Sequence, residues 1–244
     1  MPCFPCLLKR RQPLAKPSPP SSPPTATTTM TDSYKRKAVI YIIFYSMYTH
    51  VYQLAKELAK AVNETGLAEA KLFQVPETLA DNVLELMHAP SKPEDVPMIT
   101  ANQLADADGF LLGAPTRFGV VASQMRSFWE TTGALWAQGK LRGKLAGTFF
   151  STGSQNGGQE TTALTLLPTL AHHGIVYVPT GFTTAHLSQA EEVVGGSAYG
   201  AGTHAPPGKD GLTKKEKEIA AEQGKLFAKT VAAQVWGNQL LAQK

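Results

Sequence analysis

Cysteine is confined to two positions, Cys3 and Cys6, and none occurs after residue 6. Disulfide cross-links and cysteine-ligated metal sites are therefore excluded from the rest of the chain, and no metal site is expected. Long apolar runs are missing as well. No stretch approaches the 18 or so consecutive apolar residues of a membrane-spanning helix, and the N-terminus lacks the unbroken apolar segment of a secretory signal. Acidic residues are absent from positions 1–31, which carry Lys9, Arg10, Arg11 and Lys16. Of 23 Lys and Arg against 19 Asp and Glu in the chain, this leaves 19 of each beyond residue 31. The formal charge of +4 thus belongs to the N-terminal leader, the remainder is neutral, and a nucleic-acid partner is not expected.

Eight of the 17 prolines fall in positions 1–31, mixed with Ser and Thr. Such a stretch cannot bury enough apolar surface to offset its ordering entropy, and residues 1–36 are expected to be disordered. Cys3-Phe4-Pro5-Cys6, followed by Leu7, Leu8 and the trio Lys9-Arg10-Arg11, fits acylation at both thiols beside a polybasic patch. Two acyl chains with such a patch supply the two signals that stable membrane attachment needs. A cleaved targeting segment and an uncommitted tail with inert thiols are the alternatives. A cytoplasmic location is expected, peripheral at the plasma membrane if the thiols are acylated.

From Ala38 onward, short apolar runs alternate with helical patterns, the signature of βαβ units and a parallel sheet. Strands are predicted at Ala38–Tyr45, Ala70–Val75, Gly109–Gly113, Leu145–Ser151 and Ile175–Val178. Val51, Leu54, Ala55, Leu58 and Val62 form one helical stripe, with Gly66 as its stop. Ser123–Thr132 and Thr161–His172 are further helices, the second expected to kink or split at Pro168. Thr213 and Glu216 make a capping box for a last helix. These patterns predict an α/β domain over 37–236, a doubly wound five-stranded parallel sheet with helices on both faces, followed by a tail over 237–244. Segments 76–100 and 183–211 exceed ordinary connections and are candidates for functional or assembly loops.

Ligands of doubly wound sheets bind beyond the carboxyl ends of the strands. After the first strand, Ser46, Met47, Tyr48, Thr49, His50 and Val51 lead into a helix, whose N-terminus offers N–H groups and a positive dipole end to a phosphate. After the third, Pro115, Thr116, Arg117, Phe118 and Gly119 place a rigid turn, a hydroxyl, a cation and a ring in succession. After the fourth, Ser151, Thr152, Gly153, Ser154, Gln155, Asn156 and Gly157 form a glycine-rich loop that lets backbone approach a flat ligand. Singly, these also suit an N-cap, a surface turn and a flexible loop. At three successive strand ends, they describe a site for one phosphate and one planar ring.

The ordered series S-M-Y-x-H (46–50), G-x-P-T-R-F-G (113–119), Q-M-R-x-F (124–128), T-G-x-L-W-A-x-G-x-L (132–141), S-T-G (151–153), G-G-Q-E (157–160), T-L-A-H-H-G (169–174), V-P-x-G (178–181) and G-G-S-x-Y-G-A-G-T (195–203) resembles the WrbA family of flavodoxin-like proteins. The match runs from about Ala38 to about Val235, and the variant with its added leader is more similar to fungal relatives. The resemblance implies FMN as cofactor, NAD(P)H as co-substrate and a quinone as acceptor, in a homodimer or homotetramer. By the same resemblance, residues 46–51 hold the FMN phosphate, Thr116, Arg117 and Phe118 line the ring, and residues 151–156 wrap its other edge. Tyr48 contacts the nicotinamide nucleotide, Trp136 covers the quinone and His172 contacts the flavin. Arg117 is the candidate for stabilising negative charge and His172 for relaying a proton.

Three departures from the family pattern stand out. Thr49 occupies a position that is usually glycine, so a left-handed backbone there would be strained and FMN binding weakened. The glycine loop is one residue longer, and A-P-P-G follows His204 where the family continues differently. A one-electron flavodoxin-type carrier is the alternative enzyme-class reading. A non-catalytic scaffold at a membrane face is the alternative outside catalysis. If the leader anchors the chain, a Cys3→Ser, Cys6→Ser double variant moves from the membrane to the soluble fraction in cell fractionation; identical partitioning of variant and wild type removes the anchor.

Overall fold

The computed structural model describes residues 36–189 and 191–243. The expectations for the leader, including Cys3, Cys6 and Lys9-Arg10-Arg11, lie outside the described residues. Strand β1 (Ala38–Phe44) is followed by helix α1 (His50–Glu64), strand β2 (Ala68–Gln74) and short helix α2 (Asp81–Leu86). Strand β3 (Gly109–Arg117) turns back into β4 (Val120–Val121), after which come α3 (Ser123–Glu130) and α4 (Gly133–Ala137). Strand β5 (Leu145–Thr152), helix α5 (Gln159–His173), β6 (Val176–Tyr177), β7 (Gly196–Ser197), β8 (Gly200–His204) and the long helix α6 (Lys214–Leu241) complete the chain.

The sheet runs β2-β1-β3-β5-β8-β7, with β4 paired to β3 and β6 to β5. All neighbours from β2 to β8 are parallel. Alternation along β1 assigns the two faces. Ile40, Ile42 and Phe44 pack with Leu111 and Phe149 against α1 and α6, whereas Tyr41, Ile43 and Tyr45 pack with Phe110 and Leu112 against residues of α3, α4 and α5. Helices therefore cover both faces, and the central strands read as nearly continuous apolar runs because neither face meets water.

Three sequence expectations change in detail. The fifth parallel position is filled by two segments: β6 pairs with Leu145 and Ala146, and β8 pairs with Thr148 to Thr152. The run Ile175–Val178 thus supplies only its first part. Gly200 and Gly202 in β8 hide the second part from an apolar-pattern reading, yet Gly200 is required there, since a Cβ would stand 1.8 Å from the Thr148 carbonyl oxygen. Helix α5 runs through Pro168 without splitting. Buried Leu166 and Leu170 on either side of the proline hold the helix to the sheet, outweighing one lost hydrogen bond. Helix α6 continues to Leu241, so most of the expected tail from residue 237 is helical; Gly237 alone does not end a helix that lacks a following proline or a left-handed stop.

The first helix ends as predicted, Gly66 adopting φ +69° and donating its N–H to Asn63 O at 3.0 Å. Across β3, Gly113 stands in register between Phe44 and Phe149. A Cβ there would meet the Phe149 ring at 2.2 Å. Gly113→Ala is expected to lower unfolding free energy by about 2–3 kcal/mol, in the range of overpacked cores, as measured by urea denaturation; an unchanged midpoint would show that the ring can move aside freely.

Candidate functional site

Because β1, β3, β5 and β8 are parallel, the turns after them leave from the same edge of the sheet. These turns enclose a cavity of about 760 Å³, within the range typical of small-molecule sites. Its walls bring together Ser46 to Val51 after β1, Pro115 to Arg117 at the end of β3, and Ser151 to Gly153 at the end of β5. Two further pieces come from the long segments, namely Pro90 and the stretch Ala205 to Asp210.

The turn after β1 carries groups of the kind that bind anions. The Ser46 Oγ is buried and has no hydrogen-bond partner among the described residues. The first N–H groups of α1 have no carbonyl within the helix to reach, and they open at the same place. Thr49, the residue preceding α1, adopts φ 69°, ψ −22°. For a β-branched residue this left-handed conformation is strained, as its position in the sequence suggested. Its Oγ accepts a 3.3 Å hydrogen bond from Gln53 Nε2 and does not cap the helix.

Arg117 forms no ion pair among the described residues and stands at the cavity wall. Thr116 is held by Thr162, whose Oγ donates to the Thr116 Oγ at 2.8 Å. Thr152 is fixed by Gln159, whose Nε2 donates to its Oγ at 2.9 Å. Tyr48 is half exposed and donates its hydroxyl to Met87 O at 3.0 Å, tying the first turn to the 76–100 segment.

The outer wall at 205–210 is pinned from beneath. Glu216 is fully buried and accepts from Lys209 Nζ at 2.8 Å, the N–H of Thr213 at 2.8 Å and the N–H of His204 at 2.9 Å. Burial opposes its ionisation, but the Lys209 ammonium and the two N–H groups hold its carboxyl below the usual carboxylate range. The Lys209 carbonyl lies 3.1 Å from His50 Nε2, which joins this wall to the start of α1. The capping box was legible in the sequence; the fixing of a cavity wall by its glutamate was not, because Lys209 meets Glu216 only once β8 is in place.

Several expected site residues lie elsewhere. Phe118, at φ 54°, is fully exposed beside the cavity, and Gly119 at the β3–β4 turn packs near Thr161. Ser154 and Gly157 close the tight turn after β5 through a 3.1 Å bond from Gly157 N to Ser154 O, while Gln155 and Asn156 face a separate cavity of about 410 Å³. His172 and Trp136 do not line the cavity of their own chain. Helix α5 starts after the carboxyl end of β5 and returns to its beginning, where Gly143 N donates to Gly174 O at 2.8 Å. Both residues therefore sit at the opposite sheet edge, about 25 Å away for a strand of this length. There Trp136 Nε1 donates to His172 O at 2.9 Å, and both side chains are exposed.

A parallel sheet with helices on both faces and a cavity beyond the carboxyl ends of its strands defines the flavodoxin-like class of folds. The chain belongs to the NADPH-dependent FMN reductase family, whose profile matches residues 50–189. It is similar to an NAD(P)H quinone oxidoreductase of Candida albicans, with 53% identity over 196 residues covering 78% of this chain and 96% of that protein. A quinone-oxidoreductase of Triphysaria versicolor is 51% identical over 185 residues, covering 75% and 88%. Among solved structures, a WrbA-like flavodoxin from Agrobacterium tumefaciens superposes with a TM-score of 0.55 at 19% identity, covering 81% of this chain and 99% of that one, which shows the shared fold.

The strain at Thr49 is directly measurable. Thr49→Gly is expected to raise the unfolding free energy of the flavin-free protein by about 1 kcal/mol. Thermal or urea unfolding checks this, and a less stable variant would show that the Thr49 side chain repays its backbone.

Proposed function

We propose that this chain is an FMN-dependent NAD(P)H:quinone oxidoreductase. The observation that carries the reading is the convergence of the turns after β1, β3 and β5 on one cavity, with Ser46 and the start of α1 in its wall. These groups suit the phosphate of FMN, and the space between Pro115–Arg117 and Ser151–Gly153 suits its ring. The family profile and the quinone oxidoreductases among the relatives point the same way.

When bound, FMN would supply reversible two-electron chemistry between NAD(P)H and a quinone, the two using one slot in turn, in ping-pong order. The chain's own residues supply position and charge. Ser46 and the N–H groups beginning α1 hold the phosphate dianion. Arg117 favours negative charge at the ring edge or on a quinone oxygen. Tyr48, at the cavity mouth, contacts the nicotinamide nucleotide. Trp136 covers flat acceptors and excludes water, and His172 holds a proton for transfer. Since those two lie at the far edge of their own chain, they serve the cavity of a neighbouring copy, in a homodimer or homotetramer.

Placement in the cytoplasm, with acylation of Cys3 and Cys6 bringing the enzyme to the inner membrane surface, remains part of this proposal and rests on the leader's sequence. Purified protein is expected to be yellow and to oxidise NADH or NADPH with benzoquinone as acceptor. With FMN saturating, Arg117→Ala and His172→Ala should each lower turnover by about tenfold or more. Protein that stays colourless in excess FMN and gains no melting temperature refutes the assignment. Bound flavin without two-electron quinone reduction would favour the one-electron carrier.

A further inference from the structure

Behind the Ser46–Val51 turn lies a charged cluster that takes no part in the chemistry above. Lys92, from the long 76–100 segment, donates from Nζ to Ser46 O at 2.8 Å. The same ammonium lies 3.1 Å from Glu77 Oε2 and 4.4 Å from the centroid of the Tyr45 ring. Glu77 is itself enclosed by donors: Tyr45 OH at 2.9 Å, Gln124 Nε2 at 2.7 Å and the N–H groups of Thr78 and Leu79 at 2.9 and 3.2 Å. Burial opposes the charge on Glu77, but the bonds from Gln124, Thr78, Leu79 and Lys92 win, lowering its pKa from 4.5 to about 2. The carboxylate is thus ionised throughout the neutral range and keeps a counter-charge beside Lys92. Burial and the bond to Glu77 raise the pKa of the Tyr45 hydroxyl, so it remains a neutral donor.

We propose that Lys92 is a positioning residue that makes the turn after β1 select a phosphorylated flavin over the unphosphorylated one. The geometry follows from the peptide plane. In a trans peptide the carbonyl and the N–H point in opposite directions. With Ser46 O aimed at Lys92, the N–H of Met47 points away from it, and Met47 lines the cavity. That N–H makes no hydrogen bond among the described residues. An ammonium on the carbonyl polarises the whole peptide and strengthens its N–H as a donor. The contact also fixes the Ser46 backbone, from which the turn into α1 departs. A phosphate dianion gains from both effects. A ribityl hydroxyl, which carries no charge, gains little from either. The counter-charge of Glu77 and the face of Tyr45 keep the ammonium in place when the cavity is empty.

This inference rests on FMN being the occupant, and its test separates the two ideas. Flavin-fluorescence quenching on the full-length, flavin-free protein gives dissociation constants for FMN and for riboflavin. In Lys92→Met, FMN affinity is expected to fall about tenfold, with riboflavin changing less than about twofold. Lys92→Arg, which keeps the cation, is expected to restore most of the FMN affinity. Parallel loss of both flavins, or unchanged FMN affinity in a folded variant, overturns the proposal and leaves Lys92 as a structural fastener. If Lys92→Met does not fold by circular dichroism, Lys92→Gln, which keeps a donor but not the charge, is judged by the same ratio. Wild-type protein that binds neither flavin refutes the cofactor assignment itself, a result distinct from any of these.

Discussion

The approach of the Phe149 ring over Gly113 sets the lateral fit of the three central strands. Phe44, Gly113 and Phe149 stand in one row across β1, β3 and β5, and the missing side chain in the middle gives the ring its space. On the same face Phe44 stacks on Tyr52 of α1 at 5.4 Å, so the row also seats the helix whose start floors the cavity. Interiors packed this densely transmit a displacement without absorbing it. The turns leaving β1, β3 and β5 begin only a few residues beyond this row, so a core contact with no polar atom decides where Ser46, Thr116 and Thr152 stand.

Polar fastening begins where the apolar core stops. On two sides of the cavity, a lysine is held by an enclosed carboxylate: Lys92 by Glu77 and Lys209 by Glu216. Each pair draws a long segment, 76–100 or 205–210, toward the turn after β1, through Ser46 O in one case and His50 in the other. Such pairs contribute little net stability, and only for the fully buried Glu216 does removing the partner cost about 3–5 kcal/mol. Their effect is therefore to forbid alternative loop positions, not to hold the fold together. Both carboxylates keep their charge because several donors aim at each, and neither lysine leaves an excess of positive charge unbalanced at the cavity wall.

The sequence made the frame legible where one local rule dominates. The apolar run of β1, the stripe of α1 with Gly66, and the Thr213–Glu216 box each follow from short-range pattern, and each is found in place. The strained Thr49 was legible only through the family resemblance, since a β-branched residue stands where the family usually carries glycine. What escaped were features made by long-range contact. Strand β8 contains Gly200 and Gly202, chosen for close backbone approach and not for burial of side chains, so it carries no strand signature. Lys92 and Lys209 look like ordinary surface lysines until the segments around them fold back onto Ser46 and Glu216. Pro168 misled in the other direction, because packing of Leu166 and Leu170 overrides a local penalty.

Motif order along the chain also conceals which edge of the sheet a residue reaches. The segment 151–153 ends a strand at the cavity edge, whereas 169–174 ends the helix that runs back from it, so the two motifs stand a full strand length apart. Trp136 and His172 are joined by a hydrogen bond at that far edge and present one exposed indole and imidazole surface. Within a single chain no side-chain rotation spans the distance, since an extended side chain reaches only a fraction of about 25 Å. No single copy of the chain can therefore bring both edges to one ligand.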